Sequence, residues 1–317
     1  MPKTALDLSE ITRAHGNMDG ADHEFGGVST DLKLSLVESY LAAFTIALRP
    51  HFKQLLYIDA FAGTGSRTKR HEASEGDLMR PPAKERVEHS RGSARIAMDV
   101  EPHFDEIIFV DKNARHCAAL RALSAERPDR TIRVLEGEAN ETIPRLLASR
   151  SRNGTRAVMF LDPYGMSVDW DTLKAIRESE AIDVWYLVSL SGIFRQAARK
   201  ESALDQHKRA KLTRMLGTDR WEQAWYSSDA APDLFGAVDE TKSRVADVPA
   251  MERFVHQRLG ELFPKVLKPL RLHNDRGVPS FALFFAISNP DRKAIGLAQK
   301  IANHILNSGR ASQVRPR

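Results

Sequence analysis

Apolar positions recur three or four residues apart between positions 31 and 48, at Leu34, Val37, Leu41, Phe44 and Leu48. This is the stripe of an amphipathic helix, with Thr30 as its N-cap and Pro50 as its stop. The first 30 residues have no such period and are punctuated by Gly16, Gly20, Gly26 and Gly27, so a loop or lid is expected there. After the helix, the run Leu55-Leu56-Tyr57-Ile58 closed by Asp59 reads as a short buried strand entering a glycine turn. Residues 67–92 are polar, charged and broken by Pro81-Pro82, which predicts a long exposed excursion ahead of a helix over 93–100.

From there apolar runs and amphipathic stretches alternate. Strands are expected at 107–111, 131–135, 157–161 and 184–188, and helices at 113–126, 140–149 and 170–178. Strands separated by helices argue a parallel sheet covered on both faces, and right-handed crossovers make it a doubly wound α/β fold. Near the C-terminus a helix over 251–262 precedes two apolar strands, 266–272 and 281–288. The turn chemistry of Asn274-Asp275-Arg276-Gly277 joins these as an antiparallel hairpin. A helix over 291–306 completes the pattern. The expected organisation is therefore a flexible segment 1–30, a core 31–192, a helical insertion 193–250, the end of the core at 251–307 and a frayed tail 308–317.

Composition narrows the classes. A chain of 317 residues with 42% apolar and 28% charged positions can bury one large or two modest cores, which excludes a disordered or coiled-coil protein. The net charge of +5 permits an anionic partner without requiring one. That excess is concentrated: Arg195, Arg199, Lys200, Lys208, Arg209, Lys211, Arg214 and Arg220 face only Glu201, Asp205 and Asp219 in the insertion. The segment reads as a solvated helical face or as an anion-binding surface for DNA or RNA. The single cysteine, Cys117, excludes an internal disulfide and a Cys-cluster metal site, and the eleven histidines form no HExxH-type ligand spacing. A lone thiol, with no signal-peptide pattern and no apolar run long enough to span a bilayer, leads us to expect a cytoplasmic protein with no membrane role.

Four strand ends carry the chemistry. In Asp59-Ala60-Phe61-Ala62-Gly63-Thr64-Gly65 the glycines allow a tight turn and close approach to a ligand, while Asp59 is placed to meet an ammonium. A dinucleotide fingerprint would need a third glycine where Thr68 stands. Asp111, ending the next strand, suits the two hydroxyls of a ribose, although it lies 46 residues after Gly65 because of the excursion. After the third strand, Glu138 is a strand-end acceptor for a ligand N–H, and Asn140 either reads the ligand or caps the helix that follows. The fourth strand ends in Phe160-Leu161-Asp162-Pro163-Tyr164-Gly165, where a carboxylate and an aromatic ring stand together.

This order of elements resembles class I methyltransferases, which use S-adenosylmethionine (SAM). The resemblance implies that Asp59, Phe61, Gly63, Gly65, Asp111 and Glu138 form the cofactor site. The Asp162-Pro163-Tyr164 turn resembles the Asp-Pro-Pro-Tyr pattern of DNA amino-methylating enzymes, with one proline fewer. In that pattern the carboxylate holds the target amine and the ring stacks on a flipped base. Together with Arg91-Gly92-Ser93, Phe109-Val110-Asp111-Lys112 and the helix containing Leu32-Lys33-Leu34, these motifs resemble the bacterial three-Cys-motif partner proteins, the TcmP family. That likeness implies a methyltransferase-like fold and association with a separate protein bearing a three-cysteine motif. Two expectations follow: a SAM-dependent methyltransferase acting on a nucleic-acid amino group, or a catalytically silent methyltransferase-like subunit of a bacterial defence or mobile-element system. Cys117, adjacent to His116 within a helix, is expected to be a buried, inert thiol.

Overall fold

The computed structural model describes residues 28–71, 86–150, 153–228, 242–274 and 277–314. The first helix, α1 (Val28–Leu48), buries Leu34, Val37, Tyr40, Leu41 and Phe44 and ends two residues before Pro50. It begins upstream of the expected cap, so Thr30 lies within the helix and does not cap it. Strand β1 (Gln54–Asp59) follows, buried along both faces from Leu55 onward, as expected of a continuous apolar run in the middle of a parallel sheet.

The excursion is more ordered at its base than its composition suggests. β2 (Ser66–His71) and β3 (Arg86–Arg91) pair as an antiparallel ribbon from Ser66↔Arg91 to His71↔Arg86, and the chain between them lies outside the described residues. Then come α2 (Ser93–Asp99), β4 (Glu106–Asp111), α3 (Ala114–Ala125), β5 (Ile132–Glu136), α4 (Ala139–Ala148), β6 (Thr155–Leu161), α5 (Trp170–Glu178) and β7 (Ile182–Ser189). Asn113 caps α3 by accepting from the backbone of Arg115. At α4 it is Glu138 that occupies the cap position, so Asn140 is inside the first turn and is no N-cap.

The insertion starts directly from the sheet. α6 (Leu190–Gln196) follows β7 without a loop, then a 3-10 turn (Glu201–Ala203), α7 (Gln206–Leu216), α8 (Trp221–Trp225) and an unexpected ribbon of β8 (Tyr226–Ser228) with β9 (Lys242–Arg244). Residues 229–233, whose Asp-Ala-Ala-Pro-Asp sequence reads as a loop, lie outside the described residues. Leu212, Met215, Trp221 and Trp225 bury their side chains in the same core as Ile58, Met159 and Leu161, so these helices pack as part of the main body.

α9 (Val248–Leu262) leads to β10 (Lys265–Val266), β11 (Leu270–His273) and β12 (Pro279–Ile287). The expected hairpin is present, with its first arm split in two ahead of Pro269, which has no N–H to give to a ladder. The last helix, α10 (Arg292–Val314), passes through the stretch expected to fray from position 308; only 315–317 lie outside the described residues.

The main sheet runs β5-β4-β1-β6-β7-β12-β10, with β11 also on β12. The five strands β5, β4, β1, β6 and β7 are parallel; β12 is antiparallel to β7. One face is covered by α4 to α9, and the other by α1, α2, α3 and α10. This is the doubly wound α/β fold read from the sequence, with the antiparallel pair at one edge. Because the chain leaves β1 toward β4 and returns on the other side at β6, the C-terminal ends of these three strands flank the switch point where such sheets bind ligands. Among the described residues no helix is long and apolar enough to cross a membrane.

Candidate functional site at the C-terminal edge of the sheet

Three acids mark that edge. Asp59 and Asp111 end the adjacent strands β1 and β4, and Asp162 follows the last residue of β6 on the other side of β1.

Asp59 is fully buried. Its Oδ2 accepts from Ser93 Oγ at 2.6 Å and, at 3.5 Å, from the Tyr57 hydroxyl; its Oδ1 accepts from the Phe61 backbone at 3.2 Å. Burial pushes the Asp59 carboxyl up to about 7, against the opposing pull of the Ser93 and Phe61 hydrogen bonds; the Asp162 charge adds to the rise and Lys33 offsets part of it. Burial, followed by the Asp59 charge, also raises the Tyr57 hydroxyl. The carboxylate expected to meet a ligand ammonium is thus turned into the protein, where it ties the start of the glycine turn to the start of α2.

The two glycines of that turn differ. Both have positive φ, +62° at Gly63 and +71° at Gly65, where any residue with a Cβ is strained. A Cβ on Gly65 would stand 2.8 Å from Leu123 Cδ2 and 3.1 Å from the Ala94 Cβ, so this position is sealed by α2 and α3. Among the described residues a Cβ on Gly63 would meet nothing within 4 Å, leaving that part of the turn as an open cradle. Phe61, half-buried, packs against the core beside them.

Asp111 holds the cradle in place. Its Oδ2 accepts from the Gly63 backbone at 3.0 Å and its Oδ1 from the Asn113 backbone at 2.8 Å, with His116 Nδ1 3.2 Å from the same Oδ1. His116, which carries no site signal in the sequence, lies in the first turn of α3, five positions from Asp111. Its neighbour Cys117 is buried, with Sγ donating to the Asp111 carbonyl, and burial raises its thiol. Glu138 is exposed and ion-paired with Lys112 at 3.1 Å, on the rim beyond β4 and β5.

Asn140 has a different task from those expected. Its Nδ2 donates to the Ser167 carbonyl at 2.8 Å, while its Oδ1 accepts from the Asp169 backbone at 3.0 Å and from Thr172 Oγ1 at 2.9 Å. One amide therefore clips the segment after β6 onto α4. Within that segment Pro163 is buried and the Tyr164 ring is 71% exposed, and Ser167 Oγ donates to the Tyr164 carbonyl.

Asp162 has a partner that sequence reading missed. Lys33 Nζ, on α1, donates to Asp162 Oδ2 at 2.5 Å, with side-chain exposures of 5% for the lysine and 25% for the aspartate. Nζ also stands 5.8 Å from the centroid of the Phe160 ring.

Beside the site, the insertion uses part of its positive charge internally. Arg209 pairs with Glu222, Lys208 with Asp205 and Arg220 with Glu261. Arg195, Arg199, Lys200 and Lys211 have no ion-pair partner among the described residues, and the first three are exposed. Arg214 lies close enough to Asp169 for its charge to oppose the rise that burial imposes on that carboxyl.

No protein-family model matches the sequence, and no curated protein matches it. Solved structures are similar in shape. A Legionella pneumophila protein of the DUF519 family shares 13% identity, with 87% of this chain and 93% of that chain covered and a TM-score of 0.41. A SAM-dependent methyltransferase from Clostridium acetobutylicum shares 9% identity over 82% and 94%, with a TM-score of 0.36. The CurJ carbon methyltransferase shares 12% over 83% and 56%, with a TM-score of 0.42. At these identities and TM-scores none of the three transfers a substrate or a residue's role to this chain.

Proposed function

We propose that the chain is a SAM-dependent methyltransferase acting on an amino group, with a nucleic-acid base as the acceptor. The observation that carries this reading is the convergence at one sheet edge of an open glycine cradle, held by Asp111, and the Asp162-Pro163-Tyr164 turn. Two observations support the fit: among the described residues a Cβ on Gly63 would meet nothing within 4 Å, and the Asp111 carboxylate fixes the Gly63 backbone from the other side. In this reading Gly63, Phe61 and Asp111 hold the cofactor, Glu138 stands at its rim, and Asp59 and Gly65 shape the turn from inside.

Bound SAM supplies an electrophilic methyl group whose leaving group is a neutral thioether. The residues of the chain then have to position the nucleophile. Asp162 Oδ1 accepts no hydrogen bond among the described residues; it is the acceptor for an N–H of the incoming amine, directing the nitrogen lone pair away from the carboxylate. Tyr164 offers an exposed ring for a base to stack on, and the free cations Arg195, Arg199 and Lys200 suit phosphates. The likeness to the TcmP family adds a three-Cys-motif protein as a partner. The single proline of the turn favours a second reading, a silent methyltransferase-like subunit that works by docking.

The deciding experiment is calorimetric titration with S-adenosylhomocysteine (SAH) alongside Asp111→Ala, followed by transfer of radiolabelled methyl to DNA and RNA. Binding abolished by Asp111→Ala, together with turnover lost in Asp162→Ala at unchanged SAH affinity, is the expected result. SAH binding without transfer to any acceptor selects the docking subunit, and no binding by the folded protein refutes the cofactor site.

A further inference from the structure

A lysine with 5% side-chain exposure is costly to place, and it persists only where an anion compensates the lost hydration. Lys33 comes from a helix 129 positions away in sequence to reach Asp162 Oδ2, and its charge also acts on the buried Asp59. The pair divides the Asp162 carboxylate. Oδ2 is taken by an ammonium of the chain itself, while Oδ1 remains free of hydrogen bonds among the described residues on a side chain that keeps 25% exposure.

Resting on the methyl-transfer reading, we infer that Lys33 is a positioning and specificity-determining residue. It fills the cation's place at Asp162, so that the acceptor admitted there is an uncharged amino group, as on a nucleobase, and not an alkylammonium such as a lysine side chain. Two physical arguments support this. A second cation on the same carboxylate would face Lys33 across a few ångströms in a partly dry setting, where like charges repel strongly. An uncharged amine meets no such repulsion, already carries the lone pair that must attack, and needs only one acceptor oxygen for its N–H. Lys33 also fixes the orientation of the carboxylate, so Oδ1 presents a defined direction to that N–H.

The test is carried out on the full chain with two probes, 2′-deoxyadenosine and n-butylammonium, at about pH 8, where the first is neutral and the second charged. The wild type should bind n-butylammonium more weakly than Lys33→Met does, by about tenfold or more. The gain should vanish in Lys33→Met/Asp162→Asn, and Lys33→Arg should retain the wild-type exclusion. Preference for deoxyadenosine over n-butylammonium should fall in Lys33→Met. A purely structural ion pair would lower the thermal midpoint of the variants without changing which probe binds. Equal binding of n-butylammonium by wild type and Lys33→Met, or a gain that survives loss of the Asp162 charge, overturns the inference. Lys33→Gln, neutral and of similar length, replaces the Met variant if that fails to fold. Because the n-butylammonium comparison needs no cofactor, failure of SAH to bind would sink the methyl-transfer reading while still leaving the role of Lys33 at Asp162 decided.

Discussion

The turns that leave the adjacent strands β1 and β6 both start at an acid, yet they are built in opposite senses. After β1 the carboxylate of Asp59 faces inward, fully buried and hydrogen-bonded, and Gly65 is sealed under Leu120, Leu123 and Ala94. After β6 the carboxylate of Asp162 keeps 25% exposure and the next aromatic ring stands 71% in solvent. The first turn is rigid architecture around one open position, Gly63. The second is a presenting surface held from behind, by Lys33 on one side and Asn140 on the other. The acid of the first turn is part of a wall and the acid of the second stays partly in solvent, and burial distinguishes the two.

The largest effect expected from breaking this contrast concerns Asp59. Its carboxyl is raised from 3.8 to about 7, so the folded chain holds a proton that the unfolded chain releases between those values. Folding stability attributable to Asp59 is then greatest below about pH 4, declines as pH rises toward 7, and is lost above it, a swing of about 4 kcal/mol by linkage. Asp183, raised to about 6 by burial, contributes with the same sign, so the comparison is between slopes. Urea unfolding across this range should show a shallower decline in Asp59→Asn than in the wild type; identical slopes would place the buried proton elsewhere.

Next in size is Gly65→Ala, which combines positive φ with a Cβ pressed on Leu123 and should cost about 3 kcal/mol. Asn140→Ala should cost about 2 kcal/mol, because it removes three hydrogen bonds that pin the second turn; hydrogen exchange of the Asp169 amide reports it directly. Gly63→Ala sharpens the comparison. Its φ is equally unfavourable but its Cβ meets open space, so about 1 kcal/mol of stability is expected to be lost, and under the proposed function SAH affinity falls more than stability does. The smallest effect on stability is that of Tyr164→Ala, within about 0.5 kcal/mol, since the ring is mostly in water. A larger loss on chemical denaturation would mean that the ring supports the fold and is not held out for a base.

Much of the frame is legible in one sequence because short apolar runs closed by Asp59, Asp111 and Asp162 mark parallel strands at their C-terminal ends. Lys33 is not legible. Set between Leu32 and Leu34 in an amphipathic stripe, it reads as a solvent position, and its partner is fixed only by how α1 crosses the sheet edge. Asn140 misleads for a related reason: a polar residue before an apolar helix suggests a cap, whereas the helix begins one residue earlier and the amide faces another segment. β2 and β3 escape notice because their sequences, SRTKRH and RVEHSR, have no apolar alternation. The expected end of the last helix fails at Gly309, where local propensity gives way to packing. A Cβ there would meet Leu36 and Leu270 at 3.0 and 3.2 Å, so glycine lets α10 continue in close contact with its neighbours without pushing those side chains aside.

That contact links opposite ends of the described chain. Ile301, Ile305 and Leu306 of α10 share a core with Leu36 and Tyr40 of α1, while Arg310 donates to the carbonyls of Lys268 and Pro269. On the ribosome α1 emerges early and α10 late, an interval on the order of tens of seconds for a chain of this size. Throughout that time α1 rests on one side only, with Tyr40 against Trp185 and Phe44 against Phe104, and lacks the cover that α10 supplies. Lys33 is thus carried by a helix that gains its second covering only when α10 arrives, so the Lys33–Asp162 pair is expected to be held less firmly in a nascent chain stalled before position 292.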